Sequence, residues 1–93
     1  MDIDEIIEYV SEENPEATMF QSPDFHEAII GYTFNDADLP VLVYNYNIMV
    51  ESLASEYYYD GDPVTDAIEW INYNTLRTLP YMPEAGRPII IYN

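Results

Sequence analysis

The scarcity of positive charge constrains this chain more than any other feature of its sequence. Eighteen aspartates and glutamates face two basic residues, and the formal net charge is −16. Arg77 and Arg87 are the only bases, so no helix or strand before them has a lysine or arginine of its own to neutralise its carboxylates. Like charges at helical spacing destabilise a helix. Each element must therefore turn its acids to water and gain its stability from buried apolar side chains.

The apolar content is sufficient for one folded domain. The 93 residues fit a single small domain, residues 1–93, and 48% of them are hydrophobic. The absence of cysteine excludes disulfides and zinc–thiolate sites and fits an intracellular protein. There is no basic segment followed by an apolar run at the N-terminus, and no apolar run of membrane-spanning length. We therefore predict a cytoplasmic protein.

The first sixteen residues predict an amphipathic helix over residues 3–12. Asp2 is placed to cap it, with Glu5 three residues later as in a capping box. Pro15 disfavours helical geometry for the residue before it and ends the helix. One face is apolar, and the other carries four carboxylates, which we refer to as the acidic row: Asp4, Glu5, Glu8 and Glu12.

Two further helices are predicted in the second half of the chain. Asn45 or Asn47 is placed to cap the first of them, which should break before residues 60–61. Asp62 followed by Pro63 then begins a helix that we expect to continue to about residue 79. A short helical turn is also expected at "SPDFHEA".

Three strands complete the predicted fold. "AIIGYTF" and "PVLVYNY" are joined by a short polar turn and predict an antiparallel hairpin over residues 28–34 and 40–46. The closing "RPIIIYN" is continuously apolar, which is typical of a central or well-covered strand. The order α-β-β-α-α-β predicts an α+β domain whose three-stranded, mostly antiparallel sheet packs against the helices. Eight residues are expected to be buried: Ile6, Ile7, Ile30, Val41, Val43, Ile68, Ile71 and Ile90.

Several of these segments together resemble a known group of sequences. "AIIGY", "VLVYNY", "DAIEWINYNT" and the closing "RPIII" are similar to a widespread group of short acidic phage and prophage proteins over residues 27–91. This chain departs from that group at "SEYYYDGD" and "LPYMPEAGR". The group has no settled activity, so no catalytic residue is transferred. The resemblance implies a phage origin and a protein that acts on host machinery in the infected cell.

The sequence offers little material for catalysis or metal binding. His26 is the only imidazole, and neither cysteine nor lysine is present to complete a triad or a Schiff-base site. The acidic turns "DGD" (residues 60–62) and "NDAD" (residues 35–38) lack the spacing of an EF-hand loop. We expect no enzymatic activity, no cofactor and no metal site. The two turns stay open as loose cation-binding candidates.

Eight of the ten tyrosines fall into two groups. Tyr57, Tyr58 and Tyr59 are consecutive, so a helix cannot turn all three towards one core. Because tyrosine is enriched at binding hot spots, this cluster is a candidate for partner contact. Five others are expected to serve mainly in core and sheet packing: Tyr9, Tyr32, Tyr44, Tyr73 and Tyr92.

The charge distribution indicates a basic protein partner. Direct binding to nucleic acid or to an anionic membrane needs a positive patch, which this chain lacks. The acidic row repeats at intervals similar to those of phosphates along a nucleic-acid strand. We therefore expect an inhibitor that binds the nucleic-acid-binding surface of a host protein or nuclease complex. The alternatives are an acidic adaptor that binds through exposed tyrosines, and an accessory protein whose acidity only keeps it soluble. Besides the acidic row and the tyrosine cluster, the expected contact residues are Asp24, Glu27, Asp36 and Asp38.

Overall fold

The computed structural model describes residues 2–55 and 62–92. They form an α+β fold, which confirms the predicted class. The short helix between the first helix and the first strand matches the helical turn expected at "SPDFHEA", whereas the observed order differs from the predicted one in two short helices before the last strand. In sequence the elements are α1 (Ile3–Glu13), a first 3-10 helix (Pro23–Ala28), β1 (Ile29–Phe34), β2 (Pro40–Asn45), α2 (Tyr46–Ala54), α3 (Pro63–Trp70), a π-helical turn (Ile71–Thr75), a second 3-10 helix (Leu76–Tyr81) and β3 (Ile89–Ile91).

The first helix follows its sequence signals closely. The side chain of Asp2 accepts a hydrogen bond from the Glu5 N–H at 2.8 Å, which confirms the predicted cap. Ile6 and Val10 are buried, while the acidic row is exposed. The helix ends at Glu13, one residue later than predicted, before Asn14 and Pro15.

The sheet is mixed and has the order β1-β2-β3. β1 and β2 form the predicted antiparallel hairpin, with Ile29 opposite Tyr44 and Phe34 opposite Pro40. β3 lies on the other side of β2 and runs parallel to it, with Ile89 opposite Val43. A parallel neighbour requires a crossover connection, and α2, α3 and the short helices after α3 supply it.

The central strand is β2, so the prediction of a central or well-covered position for the closing strand is wrong. Residues 40–44 of β2 are all buried. β3 is a three-residue edge strand, and Ile89 at its start is 40% exposed. Both segments are continuously apolar, and only the pairing between strands decides which of them is enclosed on both sides.

The predicted third helix changes its geometry halfway. Asp62 caps α3 as expected and accepts hydrogen bonds from the Val64 and Thr65 N–H groups. The regular α-helix ends at Trp70, and the chain continues through the π-helical turn and the second 3-10 helix. Pro80 lies inside that last segment and has no N–H to continue an α-helical ladder. The expectation of one helix to residue 79 is therefore wrong.

The hydrophobic core lies where α1, the first 3-10 helix, α2 and α3 meet the sheet. Of the eight residues predicted to be buried, Ile6, Val41, Val43 and Ile71 are, and Ile7, Ile68 and Ile90 are partly buried. Ile30 is 47% exposed, contrary to prediction. A register shift between Ile29 and Gly31 inserts an extra residue into β1, so that Ile29 takes the buried position. The core consists of Ile6, Val10, Phe20, Phe25, Ala28, Ile29, Leu42, Tyr44, Met49, Val50, Leu53, Ala67 and Ile71.

The tyrosines predicted to pack in the core do so only in part. Tyr44 is buried, and its hydroxyl oxygen accepts a hydrogen bond from the Phe20 N–H at 3.1 Å. Burial raises the pKa of Tyr44 to about 12. Tyr9 is half-buried. Tyr32, Tyr73 and Tyr92 are exposed, because they lie on an edge strand, on the outer side of the π-helical turn and beyond β3.

Candidate functional site

The acidic row forms the solvent face of α1. Its four carboxylates are exposed, and residues four apart on a helix rise about 6 Å along the axis. Asp4, Glu8 and Glu12 therefore form a line of charges about 12 Å long, with Glu5 beside it. The buried side chains of Ile6 and Val10 hold the opposite face of the helix against the core.

Within residues 2–55 and 62–92, the acidic row has one potentially cationic neighbour. His26 Nε2 lies 3.5 Å from Asp4 Oδ1, and this is the single ion-pair contact in that part of the chain. The Asp4 side chain is nevertheless 89% exposed, so the contact leaves its carboxylate open to solvent. A surface pair of this kind contributes little to stability.

The two arginines are engaged elsewhere. The guanidinium of Arg77 lies 6.0 Å from the centre of the Tyr73 ring. Arg87 donates hydrogen bonds to the carbonyl oxygens of Met82 at 3.1 Å and Pro80 at 3.5 Å. Both contacts lie in the segment after α3, so neither guanidinium reaches the acidic row. The negative potential of α1 is consequently not offset by an arginine.

Asp24 and Glu27 lie on the first 3-10 helix, next to the N-terminal end of α1. The Asp4–His26 contact joins these two elements. Asp24 is half-buried and accepts a hydrogen bond from the Ser22 hydroxyl at 3.4 Å, whereas Glu27 is exposed. Both predicted contact residues therefore extend the negative charge beyond the beginning of the acidic row.

Asp36 and Asp38 lie in the turn between β1 and β2 and are exposed. The side-chain oxygen of Asn35 accepts hydrogen bonds from the N–H groups of Ala37 and Leu39, which fixes the turn. Asp38 has a φ of 61°, a left-handed conformation that aspartate tolerates better than most residues. This turn is a local structural feature, and its two carboxylates remain available to solvent.

Asn14 connects this turn to the C-terminal end of α1. Its buried side-chain NH₂ donates to the carbonyl oxygens of Pro40 at 3.0 Å and Ala85 at 2.7 Å. The Asn35 amide donates to the same Ala85 carbonyl at 2.9 Å. The acidic row is therefore bracketed by two further acidic segments, one at each end of α1.

An aromatic pair lies beside the acidic row. The ring centroids of Tyr9 on α1 and Tyr32 on β1 are 4.8 Å apart. Desolvation, Tyr32 and the carboxylate of Glu13 together raise the pKa of Tyr9. Sequence reasoning missed this pair and the role of Glu13, because both depend on how α1 packs against β1.

The predicted tyrosine cluster, Tyr57, Tyr58 and Tyr59, lies outside the described residues. Other tyrosines are exposed: Tyr81 is 89% accessible and Tyr73 is 68% accessible. Sequence reasoning gave no role to Tyr81. Its position among Pro80, Met82 and Pro83, in a stretch that cannot form a regular helix, was the available signal of its exposure.

Two clefts share residues 19–22 as part of their lining. The larger, with a volume of about 640 Å³, is also bordered by Asp24, His26 and Glu27. The smaller, with a volume of about 320 Å³, is bordered by Phe25, Trp70 and Met82. The first cleft therefore has two carboxylates on its border, and the second has two aromatic rings and a methionine on its border.

The acidic turns that were left open as cation candidates have structural roles where they are described. Asp62 accepts a hydrogen bond from the Thr65 hydroxyl at 2.8 Å, and this bond and those from the Thr65 and Val64 N–H groups lower its pKa. Asp60 is not among the described residues. In the part of the chain that the structure describes, no three histidine, aspartate or glutamate side chains are grouped as metal ligands would be. In that same part, no helix has both the length and the apolar character needed to cross a bilayer.

No family model, curated protein or solved structure matches this chain. The similarity to short acidic phage proteins therefore stays a prediction that depends on the sequence segments quoted above.

Proposed function

We propose that this chain is a phage-encoded inhibitor that binds the basic nucleic-acid-binding surface of a host protein. One observation carries the proposal, namely the exposed acidic row on α1, which has no arginine or lysine partner among the described residues. A host nuclease complex, such as a CRISPR effector or a restriction enzyme, presents a groove lined with lysine and arginine that suits this surface. The proposed site of action is the cytoplasm of the infected cell.

The spacing of the acidic row supports mimicry of a nucleic acid. Carboxylates four residues apart rise about 6 Å along the helix, which is comparable to the distance between neighbouring phosphates of one strand. Each like-charge pair costs the helix about 0.2–0.5 kcal/mol. Burial of a large apolar side chain such as Ile6 contributes about 1.5–3 kcal/mol, so packing offsets the repulsion.

The proposal is tested by charge reversal on α1. The variant E5K/E8K/E12K should bind the host partner at least about 100-fold more weakly, since steering and pairing both depend on these charges. A matched control, E51K/E69K/E84K, reverses three exposed glutamates on other segments and changes the net charge equally, from −16 to −10. The control should bind within a few-fold of the natural chain. Equal weakening by both variants would contradict a specific role for the acidic row.

Competition with DNA separates mimicry from other modes of binding. The partner is captured from host lysate on the immobilised chain, at several salt concentrations and with increasing duplex DNA. A nucleic-acid mimic loses its partner to the duplex and to salt, because both act on the same positive groove. Retention of the partner in excess DNA would exclude mimicry.

An adaptor that binds through tyrosines is the second candidate. It is favoured by the high exposure of Tyr81 and Tyr73, since an exposed tyrosine offers a rigid apolar ring with a polar tip. The variant Y73S/Y81S should abolish binding by an adaptor and leave binding by a mimic within a few-fold. If neither this variant nor charge reversal on α1 reduces binding, the partner contacts other residues, and the tyrosine cluster at residues 57–59 is the next to be replaced.

We propose that the chain has no catalytic activity and needs no cofactor. His26 is the one imidazole of the sequence, and it lies beside an exposed Asp4 carboxylate on the surface. His26→Ala should therefore leave inhibition of the host partner within a few-fold. Complete loss of inhibition by a folded His26→Ala protein would point to an active site instead.

A further inference from the structure

β1 is an edge strand whose outer side is open. Within the described residues it pairs with β2 only. A Cβ atom placed on Gly31 would meet no other atom within 4 Å, so the face of the sheet at this residue is also open. An open edge presents unpaired backbone groups to which another strand can bind.

The register of the hairpin identifies the backbone groups that face this edge. The Asn35 N–H donates to the Leu39 carbonyl at 2.9 Å, which marks a hydrogen-bonded pair. Such pairs alternate along an antiparallel ladder, so Thr33 and Val41 form the next one. The N–H and C=O groups of Tyr32 and Phe34 consequently point away from β2. The register shift next to Gly31 confines the regular part of the edge to residues 32–34.

Apolar side chains accompany these backbone groups. Phe34 is 53% exposed, Ile30 47% and Tyr32 37%, although all three belong to a strand. The rings of Tyr32 and Phe34 are 5.9 Å apart, and Tyr9 extends the aromatic surface on the other side of Tyr32. Tyr32 and Phe34 therefore form an apolar strip beside the open backbone, and the exposed Ile30 precedes it on the same strand.

The charges around the strip select its occupant. Glu27 precedes β1, Asp36 follows it, and Glu13 lies near Tyr9; all three are exposed. No arginine contact among the described residues reaches them. A second copy of the chain would bring another net charge of −16 to this edge, which repulsion opposes. A segment with lysine or arginine beside apolar residues would meet opposite charge at both ends.

We propose that the open edge of β1 binds an extended basic segment of a partner protein as a fourth strand. The partner's backbone pairs with Tyr32 and Phe34, its apolar side chains cover the strip, and its basic side chains meet Glu13, Glu27 and Asp36. The proposal rests on the proposed function for the basic character of the partner. It adds recognition of backbone by backbone, which the acidic row alone does not provide.

The first test uses synthetic peptides and the complete chain. A short peptide of alternating lysine and valine is titrated while the amide signals of residues 30–34 are followed by NMR. The same peptide with every backbone nitrogen methylated keeps its charge but has no N–H group to donate from either edge, so it cannot form the strand pairing. The unmodified peptide should bind at least about tenfold more tightly, through the hydrogen bonds it adds. Equal affinity of the two peptides would overturn the proposal.

The second test changes the edge itself. Tyr32→Pro removes an N–H that points outward and leaves the bonds to β2 in place, whereas Tyr32→Thr keeps that N–H and removes the ring. Tyr32→Pro should bind the unmodified peptide at least about tenfold more weakly than Tyr32→Thr does. Equal binding by the two folded variants would overturn the proposal. If Tyr32→Pro fails to fold, the peptide comparison on the natural chain decides.

Further outcomes distinguish this proposal from dimerisation through β1 and from binding through the acidic row alone. Sedimentation that shows a dimer of the natural chain, dissociated by Tyr32→Pro, would overturn it, since the edge would then bind a second copy. Preference for the unmodified peptide together with normal partner binding by E5K/E8K/E12K would support the edge and contradict the role of the acidic row. Loss of the host partner by E5K/E8K/E12K, together with equal affinity for both peptides, would support the role of the acidic row and overturn the proposal for the edge.

Discussion

The first helix and the segment that begins at Asp62 start alike and end differently. In both, an aspartate side chain caps the first turn and apolar residues recur at helical spacing. α1 keeps regular α-helical geometry to Glu13, one residue beyond its predicted end. The second segment leaves α-helical geometry after Trp70 and continues in π and 3-10 geometry to Tyr81.

The difference lies in what fixes the end of each helix. The chain after α1 is held by Asn14, which is buried and hydrogen-bonded to two distant carbonyl oxygens. The later segment has an exposed, uncharged outer side at residues 72–74, and its next proline is Pro80. The end of α1 thus combines a local stop signal, Pro15, with a tertiary anchor, Asn14, whereas the later segment has neither before Pro80. The four substitutions that follow test this comparison.

Replacement of Asn14 should have the largest effect on stability. Asn14→Leu leaves the carbonyl oxygens of Pro40 and Ala85 without that donor and should lower the free energy of unfolding by about 3 kcal/mol. The control is Asn74→Leu, because the Asn74 amide is exposed and bonds only to Trp70 within its own segment. It should cost less than about 0.5 kcal/mol. Urea denaturation measures both, and similar losses would refute the idea of a specific anchor.

Gly86 lies next to Ala85, whose carbonyl oxygen accepts a hydrogen bond from Asn14, so its replacement tests the same contact from the C-terminal segment. A Cβ atom on Gly86 would collide with the backbone of Glu16 and Ala17, just beyond α1. Gly86→Ala should therefore destabilise the fold by about 1–3 kcal/mol. Gly31→Ala is the matched control, since its Cβ has open space. Thermal unfolding should show the control near the natural chain or slightly above it.

The Asp62 cap of the second segment should make a pH-dependent contribution to the free energy of unfolding. Hydrogen bonds from Thr65 and Val64 lower the pKa of Asp62 in the folded chain below its ordinary value of 3.8. The stabilisation by the carboxylate is therefore complete above that value and is lost as the pH falls through the lowered pKa. Asp62→Ser keeps a capping oxygen without a titrating group. The stability difference between the natural chain and this variant should shrink on acidification, and a constant difference would contradict this account.

The smallest effect is expected on the acidic row. Glu8 has acidic neighbours four residues away on both sides, Asp4 and Glu12. Glu8→Gln should raise the free energy of unfolding by about 0.2–0.5 kcal/mol at low salt, and the gain should fade as salt screens the repulsion. Glu51→Gln on α2 has no acidic neighbour at that spacing and should change nothing. A gain that persists in high salt would require another explanation.

The same contrast explains how much could be predicted from the sequence. The caps Asp2 and Asp62 were identified, and Asn45 was one of two candidates together with Asn47, because each cap acts within its own turn. The exposure of Ile30 was not, since it follows from a register shift that exists only once β1 pairs with β2. The edge position of β3 was missed for a similar reason, because β2 and β3 have equally apolar sequences.

The candidate site divides in the same way. The exposure of the acidic row followed from the helical period of α1. The Asp4–His26 contact and the Tyr9–Tyr32 pair depend on the packing of α1 against its neighbours. The open edge of β1 likewise depends on the strand order and could not be deduced from the strand itself.

The hydrogen bonds of Asn14 have a consequence for how the acidic surface responds to its surroundings. An uncharged amide holds the end of α1 to the carbonyl oxygens of Pro40 and Ala85. Neither group titrates, and buried hydrogen bonds between neutral groups are little affected by dissolved ions. Salt and acid therefore change the strength of the negative field without releasing this C-terminal end of the helix that carries it. The positions of the carboxylates near this end of α1 are therefore fixed, while salt and pH set how strongly they attract a basic partner.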